Sequence, residues 1–292
     1  MPAVTSNGIT IEYQEQGSGE PMLLVMGLGG QLTDWPDGLV DLLAERYRVI
    51  TFDNRDVGLS TEFDWTPPSK LRLLLSFITR RKPKAGYTVD DMAQDAAGLL
   101  AALDIDAAHV VGMSMGGMIA QSLAINHPKL VLSLASIMSH TGDQKNGLPT
   151  RKVMAAFARM KAPTREDAAV VGTELYSMFA GSRWDREEHL AGARLSIARS
   201  WRPGGTERQA VAIAASPDRT AKLAELNLPA LVIHGLQDTL VRPSGGHATC
   251  KAIPGSRLLM FNDMGHDLPG PRWPEIVAAI SSNTSRASVP VR

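Results

Sequence analysis

Two rhythms of apolar residues run along the chain. Continuous apolar runs of strand length occur at residues 22–26, 48–53, 108–113, 131–139, 229–234 and 256–262, and stretches with apolar residues at helical spacing lie between them. A strand that is apolar on both faces needs a helix over each face, so the runs predict a parallel sheet with helical crossovers, right-handed by rule. The first strand has a different pattern. Ile9, Ile11 and Tyr13 alternate with Thr10, Glu12 and Gln14, as in a half-exposed strand at a sheet edge. Helices are predicted over about 35–47 with Asp34 as N-cap, over about 88–103 opened by Thr88 or Asp90, and from Met118 to about 126 and over 273–280. The polar tail from 281 is expected to fray.

Two stretches break this rhythm. Between 62 and 86, Leu71, Leu73, Leu74, Leu75, Phe77 and Ile78 crowd together, with Lys70, Arg72, Arg80, Arg81, Lys82 and Lys84 around them. A basic amphipathic helix of this kind can lie on an anionic membrane surface. The preferred reading is a helix that packs its leucines on the protein and leaves a solvated basic end, because only this short segment carries the signal. From 140 to about 217 no buried strand is visible, and apolar residues recur at helical spacing over 153–160, 168–179 and 187–198. The strand–helix alternation then resumes. The organisation expected is a core of residues 1–139 and 218–292, interrupted by a helical subdomain at 140–217.

Composition narrows the partners more than the chemistry. The 292 residues are 44% hydrophobic and 21% charged, which is globular, and 30 Lys+Arg balance 30 Asp+Glu. No electrostatic case for a nucleic-acid partner follows. The single cysteine, Cys250, excludes an internal disulfide framework and a four-thiolate metal site, and no metal is expected. No run approaches the roughly 18 apolar residues of a membrane span. Met1-Pro2-Ala3-Val4-Thr5-Ser6 also lacks a charged-then-apolar signal pattern. A soluble, cytoplasmic protein is the expectation; the sequence does not reveal its oligomeric state.

The chemistry centres on Gly112-Met113-Ser114-Met115-Gly116-Gly117, where a predicted strand runs into a predicted helix. A sharp turn there holds the serine in strained backbone geometry with Oγ above the sheet edge. Gly112 and Gly116 let strand and helix backbones approach, and Gly117 adds slack. A serine hydroxyl is too weakly acidic to attack a carbonyl unaided, so a base must take its proton and an acid must orient that base. Catalytic groups in an open parallel sheet gather at the carboxyl ends of strands. Among the seven histidines, His109 sits at a strand start, His127 at a helix end, His140 where the insertion begins, His189 within the insertion and His247 on a predicted helix. His266, in the loop after the last strand, is the candidate base. Asp238, just beyond the strand at 229–234, is the candidate acid, and His234 at that strand's end reads as a packed structural imidazole. Asp143, placed after the preceding strand, is the alternate acid; Asp263 and Asp267 lie too close to His266 in sequence. The order Ser114, Asp238, His266 is nucleophile, acid, base. An oxyanion needs two preorganised N–H donors, and Met115 and the loop Gly27-Leu28-Gly29-Gly30, through Leu28, are placed to provide them.

At this point the chain resembles the α/β-hydrolases of the esterase and lipase kind. The matching segments are Leu24-Val25-Met26-Gly27-Leu28-Gly29, Asp53-Asn54-Arg55-Asp56-Val57-Gly58-Leu59-Ser60, His109-Val110-Val111-Gly112-Met113-Ser114-Met115-Gly116-Gly117 and Gly265-His266-Asp267-Leu268-Pro269. It is most similar to the branch of bacterial carboxylesterases and aclacinomycin methylesterases. The resemblance covers about residues 8–282 and is weak across the insertion. It implies an eight-stranded, mostly parallel sheet with helices on both faces, a helical cap over the active site, no cofactor and a small-molecule ester as substrate. Many relatives carry His-Gly before the oxyanion residue, whereas this chain has Met26-Gly27; a backbone donor survives that change. The Asp53–Asp56 segment reads as a buried charge network near the site. The same three groups could also run peracid formation, lactone opening or carbon–carbon bond hydrolysis, and a ligand-binding protein without turnover is the alternative outside enzymes. Haloalkane dehalogenation is excluded, because it needs a carboxylate at 114.

Overall fold

A computed structural model describes residues 1–69, 79 and 81–287. The leucine-rich segment at 70–78 and Arg80, considered above for membrane contact, lie outside the described residues.

Each apolar run becomes a strand of one eight-stranded sheet. The strands are β1 (Ala3–Ser6), β2 (Ile9–Gln16), β3 (Glu20–Val25), β4 (Tyr47–Phe52), β5 (Ala108–Met113), β6 (Val131–Ile137), β7 (Ala230–Gly235) and β8 (Arg257–Phe261). Their spatial order is β1-β2-β4-β3-β5-β6-β7-β8. From β4 to β8 every pairing is parallel, and β1 and β2 join antiparallel. Alternate side chains of one strand serve opposite faces, as the period of two demands. Leu23 and Val25 enter the core beneath α2 (Val89–Ala102) and α3 (Met115–Asn126). Met22 and Leu24 enter the other core, with Leu39 and Leu43 of α1 (Asp37–Ala44) and Ile276 and Ile280 of α10 (Trp273–Thr284). Each such leucine removed from water contributes about 1.5–3 kcal/mol, so both layers hold the sheet.

Helix α2 begins as its first turn predicts. Thr88 caps it, and its backbone N–H donates to Asp91 Oδ2 at 2.7 Å, closing a capping box. Between β6 and β7 lie α4 (Arg151–Arg159), α5 (Ala168–Tyr176), α6 (Arg186–Arg199), α7 (Pro203–Ala215) and the single turn α8 (Thr220–Leu223). Helix α9 (Ser244–Ala252) connects β7 to β8.

Four local expectations need correction. Strand β2 is not an edge, because β1 pairs along its outer side. Helix α1 starts at Asp37 behind Pro36; Asp34 instead accepts the Gln31 backbone N–H at 2.7 Å in the turn before it. Helix α10 continues four residues beyond 280, since Thr284 Oγ1 meets Tyr47 Oη at 2.7 Å and Asn283 Nδ2 donates to the Leu134 carbonyl at 3.1 Å. The polar residues there are buried partners of the core, so this part of the tail is not frayed. Helix α7 was not anticipated: its stretch opens Pro203-Gly204-Gly205, which reads as a turn, yet proline suits the first helical turn and the glycines admit close neighbours. Among the described residues no helix is long and apolar enough to cross a membrane.

Candidate active site

Ser114 stands between β5 and α3 with φ 56° and ψ −119°, a region a non-glycine residue occupies only when its surroundings enforce it. Its N–H donates to the Ile137 carbonyl of β6 at 2.8 Å, and its carbonyl accepts from Gly117 at 3.0 Å. The glycines around it are required by close approach. A Cβ on Gly116 would lie 1.9 Å from the Val25 carbonyl oxygen, and one on Gly112 would lie 2.2 Å from that of Gly116. Gly117 is more than slack: a Cβ there would sit 2.6 Å from Ser139 Cβ.

Three of the predicted side chains form one relay. Ser114 Oγ is 2.9 Å from His266 Nε2, and His266 Nδ1 is 2.6 Å from Asp238 Oδ2. Asp238 and His266 are 2% and 4% exposed, so the bond between them is shielded from competing water, while the bond to Ser114 is part-buried. Asp238 follows β7 and receives the Leu240 and Val241 N–H groups on Oδ1, at 2.9 and 2.8 Å. Burial alone would raise its carboxyl, but the His266 charge and the bonds from His234 and His266 outweigh burial and hold it below its ordinary value. A carboxylate on one imidazole nitrogen and a hydroxyl on the other is an arrangement that can move a proton off the hydroxyl.

The other candidates are placed elsewhere. Asp143 is turned into its own loop, accepting from Lys145 and Asn146. Asp263 pairs with Arg183 and Arg272, which lower its carboxyl to about 2. His109 bridges Ser133 Oγ at 2.9 Å, and His127 meets Gln94 Oε1 at 2.9 Å. His234 is fully buried and 2.7 Å from the Val241 carbonyl, as a packed imidazole should be, yet Nε2 also lies 3.5 Å from Asp238 Oδ2. That second imidazole beside the acid was not expected; its i, i+4 spacing to Asp238 was the available signal.

The inserted segment touches the histidine loop directly, which pattern reasoning missed. The His266 N–H donates to the Phe179 carbonyl at 2.7 Å, and Tyr176 Oη donates to the His266 carbonyl at 2.6 Å. Asp267 Oδ1 receives the N–H groups of Gly181 and Gly265, both at 2.8 Å, fastening the insertion to the loop. Burial, and then the charges of Asp267 and Asp238, push the Tyr176 phenol up, so it remains a donor.

The loop before α1 closes the opposite side. A Cβ on Gly27 would lie 3.2 Å from Ser114 Cβ, which places this loop against the serine. The Met115 N–H, at the first position of α3, and the Leu28 N–H donate to no protein acceptor among the described residues. Around the loop the charge network is buried, as expected. Asp53 Oδ2 meets Arg199 at 2.8 Å, Arg55 forks onto Asp95 at 2.6 and 2.7 Å, and Asp56 pairs with Arg208 at 2.9 Å. The partners Arg199 and Arg208 belong to α6 and α7, so the network ties the insertion to the sheet.

Residues 20–269 match the alpha/beta hydrolase fold family. Similar known proteins include rhodomycin D methylesterase DauP of Streptomyces sp. (strain C5), 27% identical over 98% of each chain. Rhodomycin D methylesterase DnrP of Streptomyces peucetius is 26% identical over the same shares. Among solved structures, the enol-lactonase from Burkholderia xenovorans LB400 superposes with a TM-score of 0.75 at 22% identity, over 97% of this chain and 100% of the other, a likeness of fold.

Proposed function

The chain belongs to the alpha/beta hydrolase fold family, and from that we propose that it is a serine hydrolase of carboxylic esters working through an acyl-enzyme. The observation that carries this is the continuous relay from Ser114 Oγ through His266 to Asp238, at 2.9 and 2.6 Å. Ser114 is the nucleophile: as Oγ attacks the acyl carbon, its proton passes to His266 Nε2, and Asp238 stabilises the imidazolium. The N–H groups of Leu28 and Met115 hold the oxyanion. Collapse of the tetrahedral intermediate expels the alcohol, which takes the proton from His266. Water then attacks the acyl-enzyme with His266 as base again, and the acid leaves.

In this reading residues 140–217 act as a cap; the bonds of Phe179, Tyr176 and Gly181 to the histidine loop and of Gln209 Oε1 to the Gly29 N–H support one body that both covers and braces the site. The two relatives are named as methylesterases, so a methyl ester is the first substrate class to test. A series of p-nitrophenyl esters beside a bulky methyl ester reads acyl and alcohol preference together. Ser114→Ala should leave the melting temperature near that of the native chain and lower kcat/KM by about 10⁴-fold or more. Ester hydrolysis within tenfold of the native rate by that variant would remove the assignment.

A further inference from the structure

The insertion reaches the oxyanion loop through one side chain that no motif marks. Gln209, on α7, is fully buried. Its Oε1 accepts the Gly29 N–H at 2.8 Å, and its Nε2 donates to the Arg55 carbonyl at 2.7 Å. Gly29 directly follows Leu28, and it lies at φ +72° in a turn that the Gly30 N–H closes onto the Gly27 carbonyl at 3.2 Å. A positive φ at the third position of a four-residue turn is what a type II turn demands. In that turn the Leu28–Gly29 peptide can rotate at low cost unless something holds the Gly29 N–H, and the turn that carries the Leu28 N–H on its preceding peptide loosens with it. Gln209 holds it, and the Arg55 carbonyl fixes which way the amide faces, so the acceptor is always presented to Gly29. Thr206, one turn earlier on α7, crowds the same spot, 2.8 Å from where a Gly29 Cβ would be.

We propose that Gln209 is a positioning residue for the oxyanion donor, locking the Gly27–Gly30 turn so that the Leu28 N–H is aimed before substrate arrives. This rests on the serine-hydrolase reading above and deepens it: the cap sets the geometry of the stabilising donor as well as covering the site. Gln209 itself touches no reacting atom. Preorganisation is what gives an oxyanion donor its value, so a loosened turn costs most where negative charge has developed and little in the ground state.

The test compares Gln209→Met, which removes both hydrogen bonds at similar volume, with the native chain and with Arg208→Met. Arg208 anchors the neighbouring position of α7 to Asp56 and Glu62 without contacting Gly29, so its variant controls for simple loosening of the helix. Three quantities are read on a p-nitrophenyl ester and an alkyl boronic acid: kcat, KM and boronate affinity, the boronate adduct standing in for the tetrahedral oxyanion. Gln209→Met should lower kcat and boronate affinity together, by about tenfold to hundredfold, with KM within about threefold of native. Arg208→Met should lose melting temperature without that selective loss. Equal boronate affinity in Gln209→Met and the native chain, or the same loss in both variants, overturns the proposal. If Gln209→Met does not fold, Gln209→Asn serves. It keeps the amide but is one methylene too short to span Gly29 and Arg55, so it should show the same selective loss in smaller measure, and native boronate affinity in it overturns the proposal. A native chain that turns over no ester overturns the serine-hydrolase reading and this proposal with it; normal native turnover with an unaffected Gln209 variant overturns this proposal alone.

Discussion

Replacing Asp238 by asparagine separates two jobs that one carboxylate performs. Oδ1 receives two backbone N–H groups, from Leu240 and Val241, while Oδ2 faces His266 Nδ1 at 2.6 Å. An asparagine has only one oxygen, so its amide must choose. With the oxygen kept on the two backbone donors, its NH2 faces His266 Nδ1 and forces the imidazole proton onto Nε2. That proton then points at Ser114 Oγ, 2.9 Å away, and the imidazole can no longer accept from it. With the amide turned over, the imidazole keeps its productive tautomer, but the part-buried Leu240 N–H and the buried Val241 N–H lose their acceptor, at up to about 1–3 kcal/mol each. The first orientation therefore wins by several kcal/mol, and Asp238→Asn should fold normally while losing about 10⁴-fold in kcat. That loss corresponds to about 5 kcal/mol of transition-state stabilisation. The assay is kcat on a p-nitrophenyl ester together with a thermal melt on the same preparation. A loss under tenfold with an unchanged melting temperature would refute the assignment of Asp238. A loss of stability with activity retained would mean that the amide had turned and the backbone donors counted for less than reasoned.

Two further outcomes follow from the packing and charges of the fold. Gly116→Ala would force a methyl against the Val25 carbonyl at 1.9 Å, where both neighbours are backbone; a drop of several kcal/mol is expected in urea unfolding, and a native-like midpoint would show that the turn can yield. His140 is held down to about 4, first by burial and then by the charge of Arg219. The unfolded chain therefore takes up this proton first as pH falls below its ordinary value near 6.5, and stability drains away between there and about 4, on the order of 3 kcal/mol. His140→Gln should flatten the dependence of the urea midpoint on pH over that interval, and parallel curves for the two proteins would refute the contribution.

What could be read along the chain was whatever a few consecutive residues decide. The turn at Ser114 needed small neighbours on both sides, and its strand and helix were visible as changes of period. The start of α2 was narrowed to Thr88 or Asp90, and it is Thr88 that caps the helix, with Asp91 closing the box. Asp238 and His266 could be placed because loops after parallel strands open on one edge. The choice between Asp238 and Asp143 was different. Both follow strands, and only the fold turns Asp143 back onto Asn146 and sends Asp238 to the imidazole. Strand β1 was also missed, since its four residues are too few to carry a period, and with it the inner position of β2. Asn283 and Thr284 read as a loose polar end because their buried partners Leu134 and Tyr47 lie more than a hundred residues away.

Residue pattern alone marked the six apolar strands of the sheet, most of the helices between them, the strained serine and its two prospective partners, because periodicity, turn chemistry and loop position are local properties. How the helices between β6 and β7 engage that core emerges only when the chain is folded. Arg199 on Asp53, Tyr176 and Phe179 on the His266 backbone, and Gln209 on Gly29 are contacts across 87 to 180 residues. A buried charge or N–H must find a partner, but it accepts one from anywhere in the chain. Which partner it finds depends on how whole elements dock, and no short stretch of sequence contains that.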